Sequence, residues 1–128
     1  MGDYPKAIDY HKRCLKILQE IKDRLGEGTA LGNLGLAYLS IGGYPKAIEY
    51  YEHCLKILQE IKNPQGEGSA IDNLGVAYHR MGDYPKAINY HERSLKIAQD
   101  IKNRQGEGAA SGNLGVAYSS MGDYLKAI

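Results

Sequence analysis

Tryptophan and phenylalanine are absent from this chain, and all eleven of its aromatic residues are tyrosine. An aromatic set of a single kind is what a few positions copied several times would produce. Cysteine is scarce too, with only Cys14 and Cys54. Two cysteines make no disulfide framework, and no CxxC pair is present. Both are expected to be small buried apolar residues in a reducing, cytoplasmic setting. Charge of one sign is missing: 16 Lys+Arg face 15 Asp+Glu, a formal net charge of +1. That balance removes the case for a general nucleic-acid binder, and with 43% apolar residues the chain is not a disordered tail. No run approaches the ~18 apolar residues of a membrane span. Met1-Gly2-Asp3 leads straight into charged sequence, so no secretory signal pattern is legible. A length of 128 residues suits one domain better than two.

What is present is repetition. MGDYPKAI at Met1 returns as IGGYPKAI at Ile41, MGDYPKAI at Met81 and MGDYLKAI at Met121, a period of 40 without insertion. The three full units, 1–40, 41–80 and 81–120, share 22 of 40 positions. A period in this range implies a solenoid, propeller or array.

Helical spacing decides among these. Ala7, Ile8, Tyr10, Cys14, Leu15, Ile17, Leu18 and Ile21 fall at offsets of three and four. Asp3 is a candidate cap, and Pro5 stands in the first turn, where its missing N–H costs little. The apolar face ends at Ile21-Lys22, before a break marked in the second copy by Asn63-Pro64 and Gly66. A second stripe follows at Ala30, Leu31, Leu34, Ala37, Tyr38 and Ile41, with Glu27 near its start, where the helix dipole favours negative charge. Gly35, Gly75 and Gly115 recur in mid-helix. Glycine there costs about 1 kcal/mol against alanine, which points to close helix–helix approach or to simple copying. The expectation is an all-α chain of antiparallel helices near 5–23, 27–41, 45–63, 67–81, 85–103 and 107–121, with a stub at 124–128. Neither helix of a pair buries its stripe alone, so stacking gives an α-solenoid over residues 1–128.

The ladder Leu31, Leu34-Gly35, Tyr38, Gly42, Tyr44, Ala47, Tyr51, Cys54-Leu55 resembles the tetratricopeptide repeat (TPR). It returns as Ile71, Leu74-Gly75, Tyr78, Gly82, Tyr84, Ala87, His91, Ser94-Leu95, and as Ser111, Leu114-Gly115, Tyr118, Gly122, Tyr124, Ala127. The usual period of that family is 34 residues. The six extra residues here fall around 19–26 and should lengthen the outer helix and its exit loop. This long form, with Leu31-Gly32-Asn33-Leu34-Gly35, is similar to the repeats of Leu-Gly-Asn-type (Pins-type) adaptors and kinesin light chains.

The resemblance implies a right-handed superhelix whose concave groove, lined by the first helix of each pair, binds a peptide segment of a protein partner. Its groove positions include Asn33, Asn73 and Asn113, whose amides can both donate and accept and so grip a peptide unit. Local bonding to helix backbone or to the next helix is the competing account. Leu36, Val76 and Val116 would form an apolar floor or pack between repeats. Asp72, His79 and Arg80 are the strongly polar additions, tuning specificity or simply solvated. Gly32, Asp72 and Gly112 stand where the family's carboxylate clamp uses basic residues, so acidic chaperone tails should bind poorly.

Enzyme readings fare badly. His11 and Cys14 have a possible metal spacing, but their equivalents are Tyr51/Cys54 and His91/Ser94. Gly26-Glu27-Gly28 lacks the strand and the Lys-Ser/Thr of a phosphate loop. The expectation is a non-enzyme with no metal and no cofactor. No capping helix is legible at either end, so the chain reads as cut from a longer array. Residues 121–128 nearly repeat 1–8, which raises head-to-tail self-association through Tyr4, Ala7, Ile8, Tyr124, Ala127 and Ile128, the first helix of one copy displacing the stub of another.

Overall fold

The computed structural model describes residues 3–127, the last by its backbone. Six helices follow one another: α1 (Tyr4–Glu20), α2 (Arg24–Ser40), α3 (Tyr44–Glu60), α4 (Pro64–Arg80), α5 (Tyr84–Asp100) and α6 (Arg104–Ala127). No strand occurs among the described residues. The helices form two units, Met1–Asn63 and Pro64–Ile128. In the first, α2 packs against both α1 and α3; in the second, α5 packs against both α4 and α6, and α4 also touches α6. This is the repeating helix pair of an α-solenoid.

Four of the helices begin at a side-chain cap bond, while α3 starts at Gly43 without one. Asp3 accepts from the Lys6 N–H at 3.2 Å, Asp23 from Gly26 at 2.9 Å, Asp83 from Lys86 at 3.3 Å and Asn103 from Gly106 at 3.1 Å. Asp23 and Asn103 explain why α2 and α6 start earlier than the expected 27 and 107. With the cap at 23, residues 24–26 become a helical turn, and the first helix stops at Glu20 rather than 23. The six extra residues therefore lengthen α2 and leave a three-residue turn, not a long exit loop.

The turns close by one device. Asp23 N–H bonds to Leu18 C=O at 3.0 Å and Lys22 N–H to Gln19 C=O at 3.2 Å, and the same pair recurs at Asn63/Lys62 and Asn103/Lys102. This Schellman pattern needs a left-handed residue. Lys22, Lys62 and Lys102 supply it, with φ of 60°, 55° and 57°. A side chain in that region costs about 1 kcal/mol, which glycine avoids. Lys102→Gly should therefore stabilise the chain by about 0.5 kcal/mol, net of glycine's larger unfolded-state entropy. Urea denaturation checks this, and a loss of stability contradicts it.

At the other turns Gly42 and Gly82 take φ of 80° and 85°. The third copy differs. α6 runs through Gly122 to Ala127 without a break, so residues 124–127 are not a separate stub. Breaking a helix is favourable only when the segment beyond can bury a stripe against it, and these few residues cannot.

The core explains the recurring glycines. A Cβ on Gly35 would lie 2.6 Å from Tyr51 Cε1, and one on Gly75 would lie 2.6 Å from His91 Cε1. Tyr51 is 1% exposed and His91 2%. At Gly115 nothing stands within 4 Å among the described residues. Close approach thus accounts for the first two glycines, and the third faces an open notch. Cys54 is buried, and burial pushes its thiol up from the ordinary value. Cys14, expected to be buried, is exposed, because no described helix covers that face of α1. The tyrosines also pair: Tyr38 stacks on Tyr50 at 5.6 Å, and Tyr78 on Tyr90 at 5.4 Å.

Candidate functional site

The first-helix residues named from the sequence divide into two groups. In the second unit, α4 and α6 are tied by two polar bonds. Asn113 Nδ2 donates to Asp72 Oδ2 at 2.8 Å, and His79 Nε2 bonds to Ser120 Oγ at 2.9 Å. Asp72 and His79 are seven apart on α4, and so are Asn113 and Ser120 on α6, so the two ties are spaced by two helical turns. The second carboxylate oxygen of Asp72 bonds to His91 Nδ1 at 2.7 Å. Asp72 is therefore the hub of an α4–α5–α6 network. Asn113 keeps only its remaining N–H and its Oδ1 for other partners. Burial, with His91 and Arg80 adding repulsion, holds His79 below its ordinary value.

Other groups on the same helix are uncommitted. Asn73 and Arg80 are exposed, Val76 is half-buried, and the three lie at i, i+3 and i+7 on one face of α4. Neither Asn73 nor Arg80 makes a side-chain hydrogen bond or ion pair among the described residues. Val116 on α6 is 56% exposed. In the first unit Asn33 is exposed and Leu36 is 55% exposed. Thr29 and Ser40 donate back to the carbonyls of Leu25 and Leu36, and so belong to their own helix.

The residues expected at a self-association face also separate. Tyr4 and Tyr124 are exposed, and Tyr124 meets Tyr84 edge-on at 6.2 Å. Ala7 is half-buried. Ile8 is buried against Leu34 and Ala37, so it could meet another chain only if α1 left α2. The Ala127 side chain and Ile128 lie outside the described residues. His11 and Cys14 gather no third ligand: among the described residues no group of three His, Cys, Asp or Glu side chains could hold a metal ion. No described helix is long and apolar enough to cross a membrane.

Sequence reasoning read His91 and Ser94 as packing positions of the ladder and passed over Ala98, all three being places where the third copy departs from the second. Ser94 and Ala98, together with residues of α4 and α6, surround a cavity of about 80 Å³. Its signal was legible as Ala98 standing where Leu18 and Leu58 stand in the other copies.

Among known families, the one described as Tetratricopeptide repeat matches residues 1–60 and 68–128. No curated protein matches the chain. Among solved structures, BtubC from P. vanneervenii is 29% identical with a TM-score of 0.84 over 98% of this chain, which spans 53% of that protein. The TPR domain of Arabidopsis FLU is also 29% identical, with a TM-score of 0.71 over 83% of this chain and 87% of its own. The nearly identical repeats of a Podosopora anserina putative kinesin light chain share the fold at 18% identity, with a TM-score of 0.78 over 98% of this chain and 62% of that one.

Proposed function

Because the chain belongs to the tetratricopeptide-repeat family, we propose that it is a non-enzymatic protein-interaction scaffold that binds a peptide segment on the exposed face of its first helices. The observation that supports this is the stripe of α4. Asn73 and Arg80 point to solvent with their hydrogen-bonding groups unused, on either side of Val76. The neighbouring Asp72 and His79 are meanwhile consumed in bracing α4 against α6. A rigid helix face with free donors and a small apolar patch suits an extended segment, whose backbone offers both donors and acceptors. Asn33 and Leu36 repeat the pattern on α2, and Asn113 and Val116 a weaker version on α6.

The test is a random-peptide display screen on the wild type, with affinities then measured on Asn73→Ala. Loss of one direct hydrogen bond should weaken an enriched peptide about tenfold and leave thermal unfolding unchanged. A screen that enriches nothing, or peptides indifferent to both Asn73→Ala and Arg80→Ala, would sink this reading.

A second reading, head-to-tail self-association, is favoured by the open notch at Gly115. Tyr51, Cys54 and Ile57 of α3 fill the places at Gly35, Gly32 and Gly28 of α2. Their equivalents on α1 are His11, Cys14 and Ile17, and Ile17 is 56% exposed. The α1 of a second copy would thus meet Gly115, Gly112 and Gly108 of α6, without displacing residues 121–127, which continue that helix. Sedimentation across a concentration series decides it: a mass that stays at 14.1 kDa throughout rejects the contact.

A further inference from the structure

We propose that the cavity beneath Ala98 is a side-chain pocket of the peptide-binding face, and that it takes a branched aliphatic residue of leucine's size. The inference rests on the peptide-binding reading above and names what that face selects.

A small residue, Ala98, stands at the inner wall of the cavity. The equivalent positions in the first unit hold Leu18 and Leu58. Leu58 is 7% exposed there, and its Cδ2 lies 3.9 Å from where a Cβ on Gly28 would stand. Leu18 Cδ2 comes within 2.8 Å of the matching point on Gly26. At the equivalent Gly106 the Asn103 cap lies nearest and Ala98 Cβ comes only to 3.5 Å, and a space of about 80 Å³ remains. The chain itself therefore shows what fills such a place: the isobutyl group of leucine.

The mouth lies on the candidate face. Ser69 and Asp72 of α4 and Ala109 of α6 line the cavity, on the helices that carry Asn73 and Asn113. Ser69 and Ala109 are exposed, while Ala98 is 5% exposed at the inner wall. The polar groups at the inner wall of the space are already engaged, while Gln65 and Ser69 stand exposed at its rim. Asp72 holds His91 and Asn113, Ser94 donates to the Gly68 carbonyl at 3.0 Å, and Asn103 accepts from Gly106 at 3.1 Å. Among the described residues no buried side-chain nitrogen or oxygen lacks a partner. A polar group reaching the inner wall would lose its water and find no unsatisfied partner there. An aliphatic group would gain contact with Ile97, Ala98 and Ile101, and that gain scales with the apolar area removed from water.

The experiment pans a random-peptide display library on the wild type, Ala98→Leu, Ala98→Val and Asn73→Ala, then measures affinities and melting temperatures. On the wild type, enriched peptides should carry Leu, Ile or Val at one fixed position. Truncating that residue to Ala should weaken binding about tenfold or more. Ala98→Leu should reproduce that loss without adding to it, and should raise Tm by about 2–8 °C because the space is filled from within. Ala98→Val should move both quantities the same way by less. Opposite signs for stability and affinity separate filling from misfolding. Peptides bound equally by wild type and Ala98→Leu, yet lost on Asn73→Ala, overturn the pocket and leave the binding face standing. A fixed charged or polar residue overturns the aliphatic assignment. A lower Tm in both Ala98 variants overturns the cavity itself. A screen that enriches nothing, or enriched peptides unaffected by any of these variants, removes the face and the pocket together.

Discussion

Gly35→Ala and Gly75→Ala are expected to destabilise the chain by about 2 kcal/mol or more, whereas Gly115→Ala should stabilise it by about 1 kcal/mol. The three residues occupy one position of the repeat, so helix propensity favours alanine equally at all three. What differs is the neighbour. The new methyl would stand 2.6 Å from the ring of Tyr51 or of His91. Both rings are almost fully buried, and neither has room to retreat. At Gly115 the methyl meets nothing within 4 Å among the described residues, so only the backbone term remains. Chemical denaturation of the three variants is the measurement. Equal effects at all three positions would show that the glycines reflect copying rather than contact. Gly75→Ala in a His91→Ala background should recover most of its loss, because the obstructing ring is gone.

Asp72→Ala should cost about 2–3 kcal/mol. Its carboxylate side chain, 19% exposed, accepts from Asn113 and bonds to His91, whose side chain is 2% exposed. Removing it leaves a buried ring nitrogen without its partner, a penalty larger than the net worth of the bonds themselves. The first unit shows the alternative solution, with Gly32 and Tyr51 in the places of Asp72 and His91. The double variant Asp72→Ala, His91→Tyr should therefore be more stable than Asp72→Ala alone. Urea midpoints of the two variants and the wild type provide the check. An Asp72→Ala chain as stable as the wild type would mean that the network contributes nothing.

The same residue marks where the sequence stops being readable. Asp72 was visible as a polar departure from the repeat, and its place on a first helix suggested ligand contact. Its partners lie 19 and 41 residues away. No spacing rule links a carboxylate on α4 to an imidazole on α5 and an amide on α6. Asn113 was equally open to two readings, a peptide grip or a bond to the adjacent helix, and its Nδ2 turns out to serve the second. Ile8 looked like a surface residue for a second copy because it repeats at 128, yet it packs inward on Leu34. Such placements depend on which neighbour is present.

Other features were local and so legible. The helical spacing and the cap at Asp3 each involve residues within a turn or two of one another, where backbone geometry leaves few choices, and the period is read directly from the sequence. The helix count and the pairing followed from them. The start of α2 was missed by three residues because Asp23 looked like part of a loop. Only the 2.9 Å bond to Gly26 shows it acting as a cap.

By itself, then, the sequence determined the repeat, the all-α architecture, the tyrosine positions and the helix faces on which a site could lie. Periodicity and capping are short-range and are written in consecutive residues. Tertiary structure alone decided which glycine is filled and which is open, which polar side chains are spent on bracing α4 to α6, and that a space remains beside Ala98. Those outcomes depend on atoms brought together from distant parts of the chain. Close packing makes each of them a matter of a few tenths of an ångström, which no pattern of residue types encodes.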